Sequence, residues 1–212
     1  KTSSLKAQDI EVVGDISSAT FYMIMALIVP NSEILLKNVG INPTRSGIID
    51  VLENMGANIQ ILNKRLTSNE EVGDILVRYT ENLKATTISG DIIPRLIDEL
   101  PALALLLTQA EGESVVKDAQ DLRNKESDRI KEIVNSLSQI GANIEETEDG
   151  FKILGKTTLK GGAKLKTNLD HRLAMTYFMA GLISQNPIEI EDFDCHKTSF
   201  PQFLEIFESL KK

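Results

Sequence analysis

The sequence holds a single cysteine, no tryptophan and two histidines. Cys195 alone excludes an internal disulfide and fits a reducing compartment, so the cytoplasm is the expected location. His171 and His196 do not sit in any zinc-ligand spacing, and no metal site is expected. Adjacent to His196, Cys195 reads as a small buried residue, not a nucleophile. Aromatic residues make up 5% and the formal net charge is −8. A nucleic-acid surface would have few stacking platforms and the wrong overall sign, which leaves room only for a local basic pocket. The longest apolar stretch, Phe21 to Val29, is closed by Pro30. It falls well short of the roughly 20 residues that a membrane helix needs. The opening Lys1-Thr-Ser-Ser-Leu-Lys6 has no signal-peptide core. It also lacks an initiator Met, so the chain reads as a piece of something longer. Phosphate-cradling glycine loops of the common types are missing too.

What is present is an ordinary globular balance, 42% hydrophobic and 25% charged over 212 residues, and a repeat. Met55-Gly-Ala-Asn-Ile-Gln-Ile61 recurs 85 residues on as Ile140-Gly-Ala-Asn-Ile-Glu-Glu146. In each copy an amphipathic helical pattern leads into a glycine at a C-cap position, and Asn-Ile then opens a strand. A third such pattern runs from Pro201 through Phe203, Leu204, Phe207 and Leu210, with no Gly-Ala-Asn-Ile strand after it. Each copy has an earlier half. Ala19 to Val29, Pro101 to Ala110 and Leu173 to Ile183 are apolar runs of helix length, followed by a turn and a short strand at Ile34, Ser114 and Ile188. A helix that is apolar all round must be covered all round. The pattern therefore predicts three buried helices, strands around them and three amphipathic helices outside. Further strands are predicted at Ile75–Tyr79, Thr86–Ser89, Phe151–Leu154 and Ala163–Lys166. The class is α/β (α+β) with a three-fold repeat in units of approximately 10–80, 81–155 and 156–212.

The polar residues at the starts of the buried helices carry the chemistry. Asp15, Ser17 and Asp170 are N-cap candidates, and Pro101 suits a first helical turn. In a true three-fold repeat the three N-termini meet at one end and their dipoles add, which favours phosphate or carboxylate ligands. Asp98 and Glu99 are misfits there because they put anions beside an anion site, so their carboxylates suit proton abstraction or hydroxyl recognition better than capping. In Leu122-Arg-Asn-Lys-Glu-Ser-Asp-Arg129, Lys125 and Arg129 are four apart and predicted to share a helix face, and Glu126 can pair with Arg129. Cations at a helix start run against the dipole. Together with His171 and Arg172 at another helix start, they predict an anion pocket, with Arg as the bidentate and Lys as the point-charge partner.

Six stretches resemble the C-terminal half of the EPSP synthase family, the 3-phosphoshikimate 1-carboxyvinyltransferases. They are Gly14-Asp-Ile-Ser-Ser-Ala19, Asn38-Val-Gly-Ile-Asn-Pro-Thr-Arg45, Ser89-Gly-Asp-Ile-Ile-Pro-Arg-Leu-Ile-Asp-Glu-Leu-Pro101, the Leu122–Arg129 run, Asp170-His-Arg-Leu-Ala-Met175 and Ser199-Phe-Pro201. They cover nearly the whole chain in order, and Asp98-Glu-Leu-Pro101 resembles the bacterial branch called class II. The resemblance implies a two-domain protein, each domain built from three βαβαββ units, with substrates in the cleft between them. This chain would be one of the two domains, residues 1–212, and the N-terminal domain its partner. The implied reaction transfers the carboxyvinyl group of phosphoenolpyruvate to the 5-hydroxyl of shikimate 3-phosphate on the way to aromatic amino acids, with no cofactor. Asp98 would contact shikimate 3-phosphate and help take the hydroxyl proton, and Lys125 would bind nearby. Glu126 would protonate the methylene carbon, and Arg129 and Arg172 would hold phosphoenolpyruvate with His171 beside it. Glyphosate would compete for that pocket. Thr198 stands where the family often has a basic residue, which makes Lys197 the candidate there, and Leu169 replaces a small or polar residue. The family also borrows a segment from its own N-terminus to complete this domain. The isolated chain is expected to be inactive. Two other readings are a UDP-N-acetylglucosamine enolpyruvyl transferase-like half and a non-catalytic anion-binding module of the same fold.

Overall fold

A computed structural model describes Ala7 and residues 9–211; the reading of Lys1–Lys6 lies outside the described residues. The elements in chain order are α1 (Ile16–Ile28), β1 (Glu33–Gly40), α2 (Gly47–Asn54), β2 (Asn58–Thr67), β3 (Glu70–Arg78), β4 (Thr87–Ile88), α3 (Leu100–Leu107), β5 (Gly112–Val116), α4 (Arg129–Gln139), β6 (Asn143–Glu146), β7 (Phe151–Gly155), β8 (Lys164–Lys166), α5 (His171–Ile183), β9 (Glu189–Glu191) and α6 (Phe203–Leu210). From β4 to β7 the order is strand, helix, strand, helix, hairpin. From Gly14 to β3 it is the same, with the first strand reduced to a parallel bridge between Gly14 and Val39. The elements β8, α5, β9 and α6 repeat the first four members.

The sheets follow the same plan. β5 has β4 parallel on one side and β7 antiparallel on the other, and β6 closes the order β4-β5-β7-β6. β1, β3 and β2 form the matching antiparallel set. β8 and β9 pair in parallel.

The first helix of each set is apolar on every side, and its environment matches. All eight residues of α3 are buried, and so are twelve of the thirteen in α1. Each buried leucine of α3 contributes up to about 1.5–3 kcal/mol, an upper estimate because unfolded chains already hide some surface. α5 departs from this: Gly181 and Leu182 at its C-terminal end are exposed. That end borders a groove of about 690 Å³ whose lining includes Tyr22, Met25, Ile34, Leu182, Phe207 and Leu210. The amphipathic helices α2, α4 and α6 lie outside, each with a buried stripe, down to Phe203 alone in α6.

Local chemistry sets the boundaries. α1 stops at Ile28 because Pro30 pushes Val29 into extended backbone, φ −88° and ψ 119°. Gly56 and Gly141 follow α2 and α4 with φ of 76° and 100°, the left-handed conformation that closes a helix. Four short 3-10 turns, at 90–95, 97–99, 120–124 and 193–198, were not legible in the apolar pattern. The predicted strand at Thr86–Ser89 shrinks to two residues, and the last helix begins at Phe203, not Pro201.

Candidate active site at three helix N-termini

The N-terminal turns of α1, α3 and α5 meet. Ser17 in α1 donates to the carboxylate of Glu99 at the start of α3. Asp98, one residue earlier, lies 3.6 Å from Arg172 in the first turn of α5. Asp15 caps α1 by accepting from the Ser18 backbone N–H at 2.8 Å. Asp170 caps α5 by accepting from the N–H groups of Arg172 and Leu173 at 3.0 and 3.4 Å. Ser17 is not a cap. It sits inside the first turn, and its hydroxyl instead links α1 to α3 while accepting from Arg45 Nη2 at 3.3 Å.

The run from Leu122 to Arg129 is a loop across most of its length. Residues 120–124 form a 3-10 turn, Lys125 is extended, Asp128 is the cap and α4 starts at Arg129. Lys125 and Arg129 therefore do not share a helix face as predicted. They converge through Asp98, whose Oδ1 is 3.2 Å from Lys125 Nζ and 3.3 Å from Arg129 Nη1. Glu126 and Arg129 do pair, at 2.6 Å, and Glu126 Oε1 is 4.0 Å from His171 Nδ1. Arg123 turns the other way. It binds Asp128, Glu146 and the carbonyls of Thr147 and Glu148, fastening the loop to the β6–β7 hairpin.

Arg129 is the hub. Its side chain is 1% exposed and that of Asp170 is 0%. Nε donates to Asp170 Oδ2 at 2.8 Å and Nη2 to Asp170 Oδ1 at 3.2 Å. With the bond from Nη1 to Asp98, three of the five guanidinium N–H groups donate hydrogen bonds, and Glu126 adds an ion pair. Ser127 Oγ adds a bond to Asp170 at 3.1 Å. The Asp170 pair is buried and doubly bonded, whereas Asp98, Glu126, Lys125 and Arg172 keep some access to solvent and their mutual contacts are exchangeable.

The electrostatics follow from this. Burial raises the Asp98 carboxyl, but Arg172, Lys125 and Arg129 outweigh it and hold the group below its ordinary range. Asp170 is likewise raised by burial and brought below the ordinary value by Arg129, the Arg172 N–H and Ser127. Burial and the neighbouring Arg172 push His171 down, so it is neutral near pH 7. Burial pushes Glu99 up, and Ser17 and Arg172 offset this only in part. Three cations thus face three carboxylates, so an incoming anion must compete with Asp98 and Glu126 for its partners. Lys197 lies apart: it is exposed and pairs with Asp194 at 2.7 Å. Cys195 is half-buried beside Thr167, and burial raises its thiol, which disfavours a nucleophilic thiolate. Among the described residues, no helix is long and apolar enough to cross a membrane.

The sequence model of one family, EPSP synthase (3-phosphoshikimate 1-carboxyvinyltransferase), matches residues 1–207. A 3-phosphoshikimate 1-carboxyvinyltransferase of Petrotoga mobilis is 49% identical over 210 residues, which is 99% of this chain and 48% of that protein. Its counterpart in Bacillus subtilis is 52% identical over 208 residues, 98% of this chain and 48% of that protein. The solved EPSP synthase of Acinetobacter baumannii superposes with a TM-score of 0.91 at 39% identity, covering 95% of this chain and 46% of that one. The enolpyruvyl transferase NikO of Streptomyces tendae shares the fold at 15% identity, with a TM-score of 0.71 over 94% of this chain and 43% of that one. The chain spans about half the length of the curated relatives it matches.

Proposed function

Because this chain belongs to the EPSP synthase family, we propose that it is the C-terminal half of an enzyme that transfers the carboxyvinyl group of phosphoenolpyruvate to shikimate 3-phosphate. The carrying observation is the meeting of three helix N-termini where Asp98 is ringed by Lys125, Arg129 and Arg172, with Glu126 against Arg129. In this reading residues 1–212 are one domain of three repeated units, with limits near 80 and 155. The partner is the other half of the full-length protein. A segment from that half fills the groove beside Phe207 and Leu182, where the third unit has no closing hairpin among the described residues. The enzyme works in the cytoplasm.

The reaction is an addition followed by an elimination. The 5-hydroxyl oxygen bonds to C2 of phosphoenolpyruvate and loses its proton, while C3 gains one. The tetrahedral intermediate then loses phosphate from C2 and a proton from C3. Two groups must exchange protons, and several charges must be held. Lys125 and Asp98 face shikimate 3-phosphate, while Arg172 and Arg129 hold phosphoenolpyruvate. As substrate anions draw Arg172 and Lys125 away, Asp98 loses the cations that depress it and becomes a better base for the hydroxyl. Glu126 delivers the proton to C3, and neutral His171 beside it adds no competing positive charge. Preorganised cations stabilise the charge that builds on the departing phosphate.

The test is phosphate release by the full-length enzyme with Glu126→Gln. Removing a general acid lowers turnover by about 10²–10⁴-fold. Near-normal turnover would remove Glu126 from proton transfer.

A further inference from the structure

We infer that Glu99 is a positioning residue for Asp98: its buried bond to Ser17 ties the turn that carries Asp98 to the start of α1. The inference rests on the reading of Asp98 as the group that takes the hydroxyl proton, and it deepens that reading. Asp98 and Glu99 read alike in the sequence, as carboxylates beside an anion site, but the structure separates them. The Asp98 side chain is 35% exposed, and its partners are Lys125, Arg129 and Arg172. Glu99 is 4% exposed, and its side chain bonds instead to Ser17, itself 3% exposed.

Asp98 needs such a fixed point. In the proposed reaction substrate anions compete for Lys125 and Arg172, so the contacts that hold Asp98 in the free protein weaken when it has to act. Residues 97–99 form one short 3-10 turn, closed by the Glu99 N–H donating to the Leu96 carbonyl at 3.0 Å. Turns of this kind have poorer hydrogen-bond geometry than an α-helix. Among the described residues, Glu99 makes the one buried side-chain hydrogen bond of that turn, and the bond crosses to a different helix. Arg45 Nη2 donates to the same Ser17 hydroxyl at 3.3 Å, so the hydroxyl accepts on one side and donates to Glu99 on the other. Burial pushes the Glu99 carboxyl towards its neutral form. The tether therefore adds little negative charge to a pocket that must admit anions.

The test is steady-state phosphate release by the full-length protein with Glu99→Met, Ser17→Ala or Glu99→Gln, each made also in an Asp98→Asn background. Methionine and alanine remove the bond, whereas glutamine keeps an oxygen that accepts from Ser17. A misplacement of 1 Å can cost about 10²-fold in rate, and loss of one tether should cost on the order of tenfold. For Glu99→Met and Ser17→Ala, kcat should fall by that factor with each KM within about threefold, and Glu99→Gln should stay within about twofold of the parent. In the Asp98→Asn background neither change should lower kcat further, because the effect runs through the missing carboxyl. A second tenfold loss in that background would overturn the inference. So would a Ser17→Ala protein, the smaller change, with kcat within about twofold of the parent. The functional reading fails separately, if the unsubstituted protein releases no phosphate or if Asp98→Asn alone turns over like the parent.

Discussion

Replacing Asp170 by asparagine removes one charge from the most deeply buried ion pair among the described residues while changing almost no volume. The native carboxylate accepts two bonds from Arg129, one from Ser127 and two from the start of α5. The asparagine oxygen can keep the helix cap and the bond from Arg129 Nη2, but its NH2 group must face the Nε–H of Arg129, donor against donor. Breaking a buried pair costs about 3–5 kcal/mol. The retained cap and the remaining contacts of Arg129 to Asp98 and Glu126 place this change near the lower end, about 3 kcal/mol. For a chain of this size that is a fall in Tm of about 6–12 °C. The assay is urea unfolding of both proteins at pH 7 and pH 3. Asp170 is held below its ordinary range in the folded state. Its contribution is therefore complete above the unfolded value near pH 4 and is lost as pH falls through the lower folded value. The gap between the two proteins should narrow below about pH 4. A loss under about 1 kcal/mol at pH 7 would refute the reasoning, because surface pairs have that magnitude. The pairing with Asp170 would then not be what fixes the Arg129 guanidinium in place.

Other consequences are also measurable. Ser17→Ala strips the buried Glu99 carboxyl of its hydroxyl partner and should cost about 1–2 kcal/mol in urea unfolding. Glu99→Gln has the opposite expectation. Burial keeps Glu99 protonated to higher pH than in the unfolded chain, so stability falls as pH rises above about 4.3 until the folded value is passed. The glutamine variant escapes that fall and should match or exceed the parent at pH 7, with the two converging near pH 4. Gly150→Ala should destabilise by about 2–3 kcal/mol, because a Cβ there would lie 2.1 Å from the Val116 carbonyl oxygen, a backbone atom that cannot swing aside. A thermal melt that is unchanged for that variant would contradict the tight crossing of β5 by the turn before β7.

The fold was legible wherever the signal is local. Three all-apolar runs and three amphipathic ones carry their burial in their own composition, and Gly56 and Gly141 mark helix ends through a conformation other residues resist. The 3-10 turns escaped because runs such as Gly90–Arg95 have too few residues to establish a period. The site was legible as a list of groups but not as an arrangement. Lys125, Arg129, His171 and Arg172 could be picked out because cations at helix starts run against the dipole, Asp98 because it puts a carboxylate beside an expected anion site, and Glu126 as a partner for Arg129. That Lys125 meets Arg129 through Asp98 depends on where the helix begins, and the predicted continuous helix put it several residues too early. Asp170 read as a cap, and its second role needs a partner 41 residues away. Ser17 and Glu99 are 82 residues apart, with nothing in either segment naming the other. Arg123 had no assigned role in the sequence, because its partners lie on the β6–β7 hairpin.

The most direct test of the account is phosphate release from shikimate 3-phosphate and phosphoenolpyruvate, measured with this chain alone and again after adding the complementary half of the full-length protein. In the proposed enzyme the cluster lines one side of a cleft, and positioning by both sides would contribute much of the rate. The account predicts no release by the chain alone and release on mixing. Halves that associate yet stay silent, or a chain that turns over unaided, would contradict it.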